Sequence, residues 1–464
     1  MLGGKKISGI SLALSERATG ESAWLLLGLT GLAYSEGMAA IWVAAGCVAG
    51  ILFLWIFLAE PLQKLTEKTG ALTVPALFSE TYKGTSRSFG VLTSIIIILF
   101  FILYIAAQFS GAGKIFNDTF HIDPFWGMVI GSVLVTIYTM LGGFITVVAT
   151  DAFQAILMVF TCVVLPIIAL FIAATLNIDI ANTIIHANYT VPLNQAAGKL
   201  TGGLLIINGL SWAFGYTGQP QLLVRMMAMR NQAETRQSRW VAVLWTLLSY
   251  GGAFMIGIIG YELVKAGALG EMTAQIAADS EKIMPAMVVT LVNPILAGIL
   301  LSGAVSAMMS TASSQLIVVS TASTEDLYQQ VSKKKISEKK MLLLNKLLIL
   351  VVGLIGFLLA ITMEDTVYGL VSYAWSGIGA SFGPAIVLLL FWKRFSRAGA
   401  FASLITGTVS AVVWKTWLLE PTGISERLIS YLLAFTMAII FSLILPEASP
   451  NPSAGGESET KKYT

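Results

Sequence analysis

Six hydroxyl side chains, Ser302, Ser306, Ser310, Thr311, Ser313 and Ser314, fall within thirteen residues of an otherwise apolar stretch. Hydroxyl oxygens and backbone carbonyls freed from helical bonding are the hard donors that a small alkali cation requires. A lone serine in such a helix needs no ligand to explain it, because it can bond the carbonyl one turn back or sit where helices approach closely. Six together are harder to dismiss. Asp151, after Thr150, lies in another apolar stretch, where an unpaired carboxylate is costly and a cation should be near;. Sodium and Arg17 both qualify. Two further segments are unusually polar or kinked. Ser15-Glu16-Arg17-Ala18-Thr19-Gly20-Glu21-Ser22 puts three ionisable side chains and a glycine ahead of Ala23-Trp24, and Trp212-Ala213-Phe214-Gly215-Tyr216-Thr217-Gly218-Gln219-Pro220 combines two glycines with a proline. No nucleophile with a partnered base is visible. His121 and His186 stand apart, and Cys47 and Cys162 both fall in apolar runs, so a histidine cluster, a cysteine metal site and a disulfide framework are all unexpected;.

The elements that carry these groups follow from composition. The chain has 464 residues, 56% hydrophobic and only 11% charged, with a mean hydropathy of +0.81. That is too apolar for an ordinary soluble chain. Apolar runs recur at lengths sufficient to cross about 30 Å of hydrocarbon as helices, without the alternation of barrel strands. Twelve spans are expected, near 8–36, 39–59, 89–113, 125–143, 145–175, 201–224, 240–262, 291–322, 342–362, 367–392, 399–417 and 428–445. Lys and Arg concentrate in alternate connections, from Lys5 and Lys6 through Lys64, Lys68, Arg225 to Arg239 and the Lys333–Lys346 cluster to Lys461 and Lys462. Basic residues are retained on the cytoplasmic side, so both termini are expected there, in the plasma membrane. The Lys333-Lys334-Lys335 run is a topology signal on this reading. The net charge of +3 gives no reason to expect a nucleic-acid partner;. No cleavable leader is evident, and the Ser-, Pro-, Gly- and Glu-rich end, 446–464, is expected to be disordered.

Both kinked segments lie inside spanning helices, the first and the sixth. Broken backbone is tolerated in a membrane only where protein or a solvated cavity surrounds it. Their separation by five spans matches two five-helix repeats of inverted topology, in which unwound segments hold ions and anionic groups near the midplane.

Several separated motifs, in order, resemble the sodium:solute symporter family, and within it the sodium/proline branch. They are Ser22-Ala23-Trp24-Leu25-Leu26-Leu27-Gly28-Leu29, Phe214-Gly215-Tyr216-Thr217-Gly218-Gln219-Pro220, Met309-Ser310-Thr311 through Thr324-Glu325-Asp326-Leu327-Tyr328, and Gly369-Leu370-Val371-Ser372-Tyr373-Ala374-Trp375 through Gly383-Pro384. The resemblance implies an all-α, LeuT-like core of five plus five inverted-repeat helices over 1–392 (halves 8–175 and 201–392), followed by two more helices in 393–445. It implies sodium-coupled uptake of L-proline by alternating access, with no enzymatic activity. One sodium would be held by the carbonyls of Ala18, Glu21 and Ala307 and the hydroxyls of Ser310 and Thr311. A second, in members that have one, would fall to Asp151, Ser310, Ser313 and Ser314. The solute would meet Ser22, Ala23, Tyr104, Trp212, Tyr216 and Gln219, while Trp375 and Tyr373 are expected only to pack. Alternatives are the same machine with another amino acid or carboxylate, a sugar, sialic acid or pantothenate as cargo, or a sensor or channel with the same fold. Three features depart from the family pattern. A further helix normally precedes the first core span, so the start is either truncated or cytoplasmic. Gly20 stands where the proline branch has an aspartate, with Glu21 beside it. Glu16 and Arg17 replace small residues, and Arg17 and Glu21 have the spacing of an ion pair.

Overall fold

A computed structural model describes residues 7–82, 86–185, 202–328, 337–363 and 365–447. Among them the secondary structure is helical. In chain order the α-helices are α1 (Gly9–Ala23), α2 (Thr30–Glu36), α3 (Ile41–Phe53), α4 (Ala59–Thr69), α5 (Val74–Thr81), α6 (Ser86–Phe120), α7 (Pro124–Thr175), α8 (Ile180–Ile185), α9 (Gly202–Leu210), α10 (Trp212–Tyr216) and α11 (Pro220–Met227). Then come α12 (Gln232–Lys265), α13 (Met272–Ala278), α14 (Ile283–Leu291), α15 (Pro294–Thr321), α16 (Glu338–Thr362), α17 (Val367–Phe391), α18 (Arg397–Val413), α19 (Leu419–Thr422) and α20 (Glu426–Ile444). The Lys333-Lys334-Lys335 run, His186 and all but the first two residues of the expected disordered end lie outside the described residues.

Nine helical stretches among the described residues are long and apolar enough to cross a bilayer. Two of them exceed what one crossing needs. Gly9–Thr69 and Pro124–Thr175 contain 61 and 52 residues, where about 20 suffice. Each is interrupted by a glycine in the left-handed region, Gly37 (φ 64) and Gly143 (φ 64), a conformation that a Cβ would penalise;. Those glycines lie between the expected spans 8–36 and 39–59 and at the junction of 125–143 and 145–175. The sixth expected span, α9 to α11, is too broken to count by length.

Helix starts carry their own sequence signals. Asp123 and Asn293 each precede a proline and accept the amide of Phe125 or Leu296, while Asn231, Thr366 and Ser396 cap α12, α17 and α18 with side-chain oxygens;. Burial then sorts the helices. The most apolar window of α17 is 78% buried, that of α16 only 22%, so α17 is wrapped by protein and α16 faces lipid. Large exposed apolar side chains such as Phe171, Trp240, Leu343 and Ile444 form the lipid-contacting surface;. Around α17 pack α6, α10, α18 and α20, and α1 is packed between α7, α12 and α15. Close approach at the sixth span depends on missing side chains: a Cβ on Gly218 would lie 2.5 Å from the Gly383 amide of α17.

Candidate ion and solute site

The first break falls at Ser22 (φ 52, ψ −171), a non-glycine residue in the left-handed half of backbone space;. The backbone leaves helical geometry there, and side chains add to the remaining backbone bonds. The Ala23 amide donates to Gln108 Oε1 of α6 at 2.9 Å, the Trp24 amide to Ser22 Oγ at 3.1 Å, and the Tyr104 hydroxyl to Ser22 Oγ at 3.3 Å. Past the break, Trp24–Leu29 continues as π-helix. The second break, between α10 and α11, is held by Gln219, whose Nε2 donates to the carbonyls of Gly215 and Trp375, each at 3.2 Å.

Between the two breaks lies a buried aromatic cluster. Ring centroids are 4.6 Å apart for Trp24 and Trp212, 4.7 Å for Tyr216 and Trp375, and 6.4 Å for Tyr104 and Trp375. The Arg427 guanidinium stacks 4.5 Å above the Trp212 ring;. All six of Ser22, Ala23, Tyr104, Trp212, Tyr216 and Gln219 are buried in or beside this cluster. Trp375, expected only to pack, belongs to it through both its ring and its carbonyl. Tyr373 does not, and packs edge-on to Phe100 instead.

On the opposite face of α1 the serine-rich α15 approaches. The Thr311 hydroxyl donates to the Thr19 carbonyl at 2.9 Å, which ties α15 to α1 beside Ala18 and close to Glu21. Ser310 Oγ donates to the Ala307 carbonyl at 3.4 Å and Ser313 Oγ to the Ser310 carbonyl at 3.0 Å. Both hydroxyls thus back-bond, and a hydroxyl that donates its proton keeps its lone pairs for a cation. The carbonyl of Glu21 accepts the Trp24 amide.

Asp151 is fully buried, and Arg17 does not reach it. A different arginine does: Arg225 of α11 places Nη2 3.1 Å from Oδ2. The same oxygen accepts from Ser15 at 2.7 Å and Thr19 at 3.2 Å, with Ser314 at 3.5 Å. Ser310 and Ser313 form no hydrogen bond to it. Arg17 turns the other way. It forks onto Glu16, reaches Glu21 Oε1 at 2.8 Å, and so forms the expected four-residue ion pair. Trp55 Nε1 donates to Glu16 at 2.9 Å, and the hydroxyl of Tyr250 bonds Glu21. Buried charge of this kind persists only when paired and hydrogen-bonded throughout.

The two faces of the molecule differ. On one, Lys114 contacts Asp279 at 2.7 Å and Glu281 at 2.5 Å, and Lys282 contacts Asp118 at 2.8 Å. Glu281 also accepts the amides of Val367 and Tyr368 at the start of α17, at 3.1 and 2.8 Å. These contacts tie α6 and the start of α17 to the connection before α14 on that face. On the other, a cavity of about 600 Å³ opens among α5, the Gly143 turn, α11, α15 and α16, with Arg225 and Ser314 in its wall and Lys346 at its rim.

A model of the sodium:solute symporter family matches residues 1–407. The chain belongs to that family. It is a multi-pass membrane transporter, a sodium-coupled solute symporter rather than an enzyme. The sodium/proline symporter of Staphylococcus aureus is 31% identical over 468 aligned residues, covering 100% of this chain and 89% of that protein. Two solved structures share the fold. A sodium-coupled sialic acid symporter in a substrate-bound outward-open state superposes with a TM-score of 0.72 at 20% identity, over 96% of this chain and 92% of its own. MhsT in complex with L-phenylalanine gives 0.57 at 15% identity, over 94% and 98%. These likenesses identify the LeuT-like architecture of the symporter.

Four groups that shape the symporter's centre escape a reading of its motifs: Gln108, Arg225, Tyr250 and Arg427. Each is a polar side chain that stands outside the motifs. Arg225 follows the second break by only a few residues, and a basic residue there reads equally well as a cytoplasmic anchor. The available signal was electrostatic: an arginine next to an apolar helix, with Asp151 still lacking a cation.

Proposed function

We propose that this symporter takes up L-proline with sodium by alternating access, with residues 1–392 forming the moving core and 393–445 two accessory helices. The observation that carries the solute class is the break at Ser22, where an amide that would face a bound carboxylate is capped by Gln108 Oε1 inside an aromatic cluster. A solute carboxylate can take the place of that oxygen, since both are acceptors for the same amide at the positive end of a half-helix. Trp212, Tyr216 and Tyr104 then enclose a compact apolar ring, and Ser22, Ala23 and Gln219 orient its polar end. The full-length similarity to a sodium/proline symporter supports proline over other small zwitterions.

Sodium in this reading binds the carbonyls of Ala18, Glu21 and Ala307 with the hydroxyls of Ser310 and Thr311. It spans α1 and α15, already linked through Thr311. Both termini are cytoplasmic, so the 600 Å³ cavity is the cytoplasmic vestibule and the Lys114–Glu281 face is the closed outer side. Each sodium carried inward through 100 mV supplies about 2.3 kcal/mol before any concentration gradient.

In proteoliposomes an inward sodium gradient is expected to drive accumulation of labelled proline. Equal uptake with potassium in place of sodium would remove the coupling. Failure of unlabelled proline to compete, where another amino acid, a sugar, sialic acid or pantothenate succeeds, would reassign the cargo while leaving the coupling in place.

A further inference from the structure

We infer that the 600 Å³ cavity is a lipid site, which takes one acyl chain of an anionic phospholipid while Lys346 holds that lipid's phosphate. The inference rests on the reading above only for the side of the membrane, since it needs the cytoplasmic leaflet. Lys346 is where it begins. This lysine falls inside the expected span 342–362, is partly buried, and makes no hydrogen bond or ion pair among the described residues. An ionisable side chain at membrane depth calls for a partner. Glu325 lines the same cavity without pairing with it, and Arg225 in the wall is already engaged by Asp151. Asn345, bonded to Thr324 at 2.7 Å, stands beside Lys346 on the same wall as a second polar group.

The rest of the lining suits hydrocarbon. Leu72, Met140, Leu141, Phe144, Leu342 and Ile349 give it apolar walls. A passage for zwitterions alone gains nothing from such walls, because they return none of the hydrogen bonds a polar solute gives up on leaving water. Leu141, on the turn before Gly143, is 69% exposed, and Leu342 of α16 is 58% exposed. Both line the cavity, so its mouth reaches the apolar surface that lipid covers. Lys339 and Lys340, each exposed, lie about 10 Å back towards the start of α16;. Three lysines thus follow one edge of an apolar opening. That arrangement complements an anionic headgroup above its own acyl chain, in the leaflet whose negative surface attracts basic residues. A lysine stem can lie along the apolar wall while its ammonium reaches the phosphate. A volume of about 600 Å³ is within the roughly 300–1,000 Å³ typical of small-ligand pockets, so one chain enters and the other stays in the bilayer. Bound lipid then favours the conformation in which this cavity is open.

Native mass spectrometry of the purified full chain, titrated with detergent micelles containing phosphatidylglycerol or phosphatidylcholine, tests this without any transport. The expected result is one phosphatidylglycerol retained per chain under conditions that strip phosphatidylcholine. Its affinity should fall about fivefold in Lys346→Gln. A similar loss is expected in Leu342→Trp, which fills the cavity and leaves every lysine in place. Equal retention of the two lipids would overturn the inference. So would a loss in Lys346→Gln but not in Leu342→Trp, which would mean a charged rim with no chain in the cavity. Displacement by glycerol 3-phosphate as readily as by phosphatidylglycerol would reduce the site to free phosphate and overturn it equally. Lys346→Gln removes no contact within the fold, so it remains informative if the tryptophan variant does not fold. The side of the membrane is tested separately by cysteine labelling, which distinguishes a wrong topology from an absent lipid site.

Discussion

Gln108 holds the amide that the proposed solute carboxylate would take over. Its carbonyl oxygen satisfies the Ala23 amide at the break, and a buried donor left bare costs about 1–3 kcal/mol;. Gln108→Leu should therefore raise the empty state's free energy more than the loaded one. Competition assays are expected to show L-proline gaining several-fold over L-prolinol, which lacks the carboxylate. An equal change for both compounds would mean that Gln108 only packs. Arg17 is the opposite case, a residue whose removal the fold cannot absorb. Arg17→Ala leaves Glu16 and Glu21 buried with no counter-charge, at a cost of about 3–5 kcal/mol. Thermal unfolding in detergent should register this as a large drop in midpoint, whereas Arg17→Ala/Glu16→Gln should recover much of it.

At the scale of elements, two contacts set which helices move together. Thr311 links α15 to α1 at the Thr19 carbonyl and would share sodium with it. Losing one ligand should raise the sodium concentration for half-maximal uptake by about tenfold, equivalent to about 1.4 kcal/mol, in Ser310→Ala or Thr311→Ala. A variant with unchanged sodium dependence and intact folding would place the ion elsewhere. The second contact lies on the side proposed to face outward. Glu281 accepts Lys114 and the first two amides of α17 together, so it pins the most enclosed helix to α6 and to the connection before α14. Lys114→Met should loosen that seal, and a Tyr368→Cys reporter should then react several-fold faster with an impermeant maleimide, by population shift towards the outward-open state. An unaltered rate would show that the lysine contributes nothing to closure.

For the whole molecule, the proposed topology makes a sided prediction. Cysteines at Lys64 and Lys339 should label from the cytoplasmic side only, and one at Lys265 from the outside only; all three positions are exposed. Labelling of Lys64→Cys and Lys265→Cys from the same side would break the twelve-span arrangement. On the proposed topology, the vestibule and the ion-paired opposite face would be one end of an alternating-access cycle. In that cycle the breaks at Ser22 and between α10 and α11 would serve as joints, because helices with complete backbone bonding have no soft joint within the bilayer.

Much of this was legible without coordinates, for reasons that can be stated residue by residue. Apolar runs specify spans because unpaired backbone is not tolerated in lipid, and the two kinked segments stand out because glycine, proline and charge are costly inside such runs. Arg17 and Glu21 pair as their spacing on one helix face requires, since a four-residue separation is a local property;. Partners from distant parts of the chain carry no such mark. That Asp151 belongs to Arg225, 74 residues away, and that Gln108 caps an amide 85 residues back, depends on how α1, α6, α7 and α11 pack. Local periodicity determines which helices form and which faces are apolar; only tertiary packing decides which buried charge answers which, because that choice minimises the electrostatic energy of the assembled core rather than of any one segment.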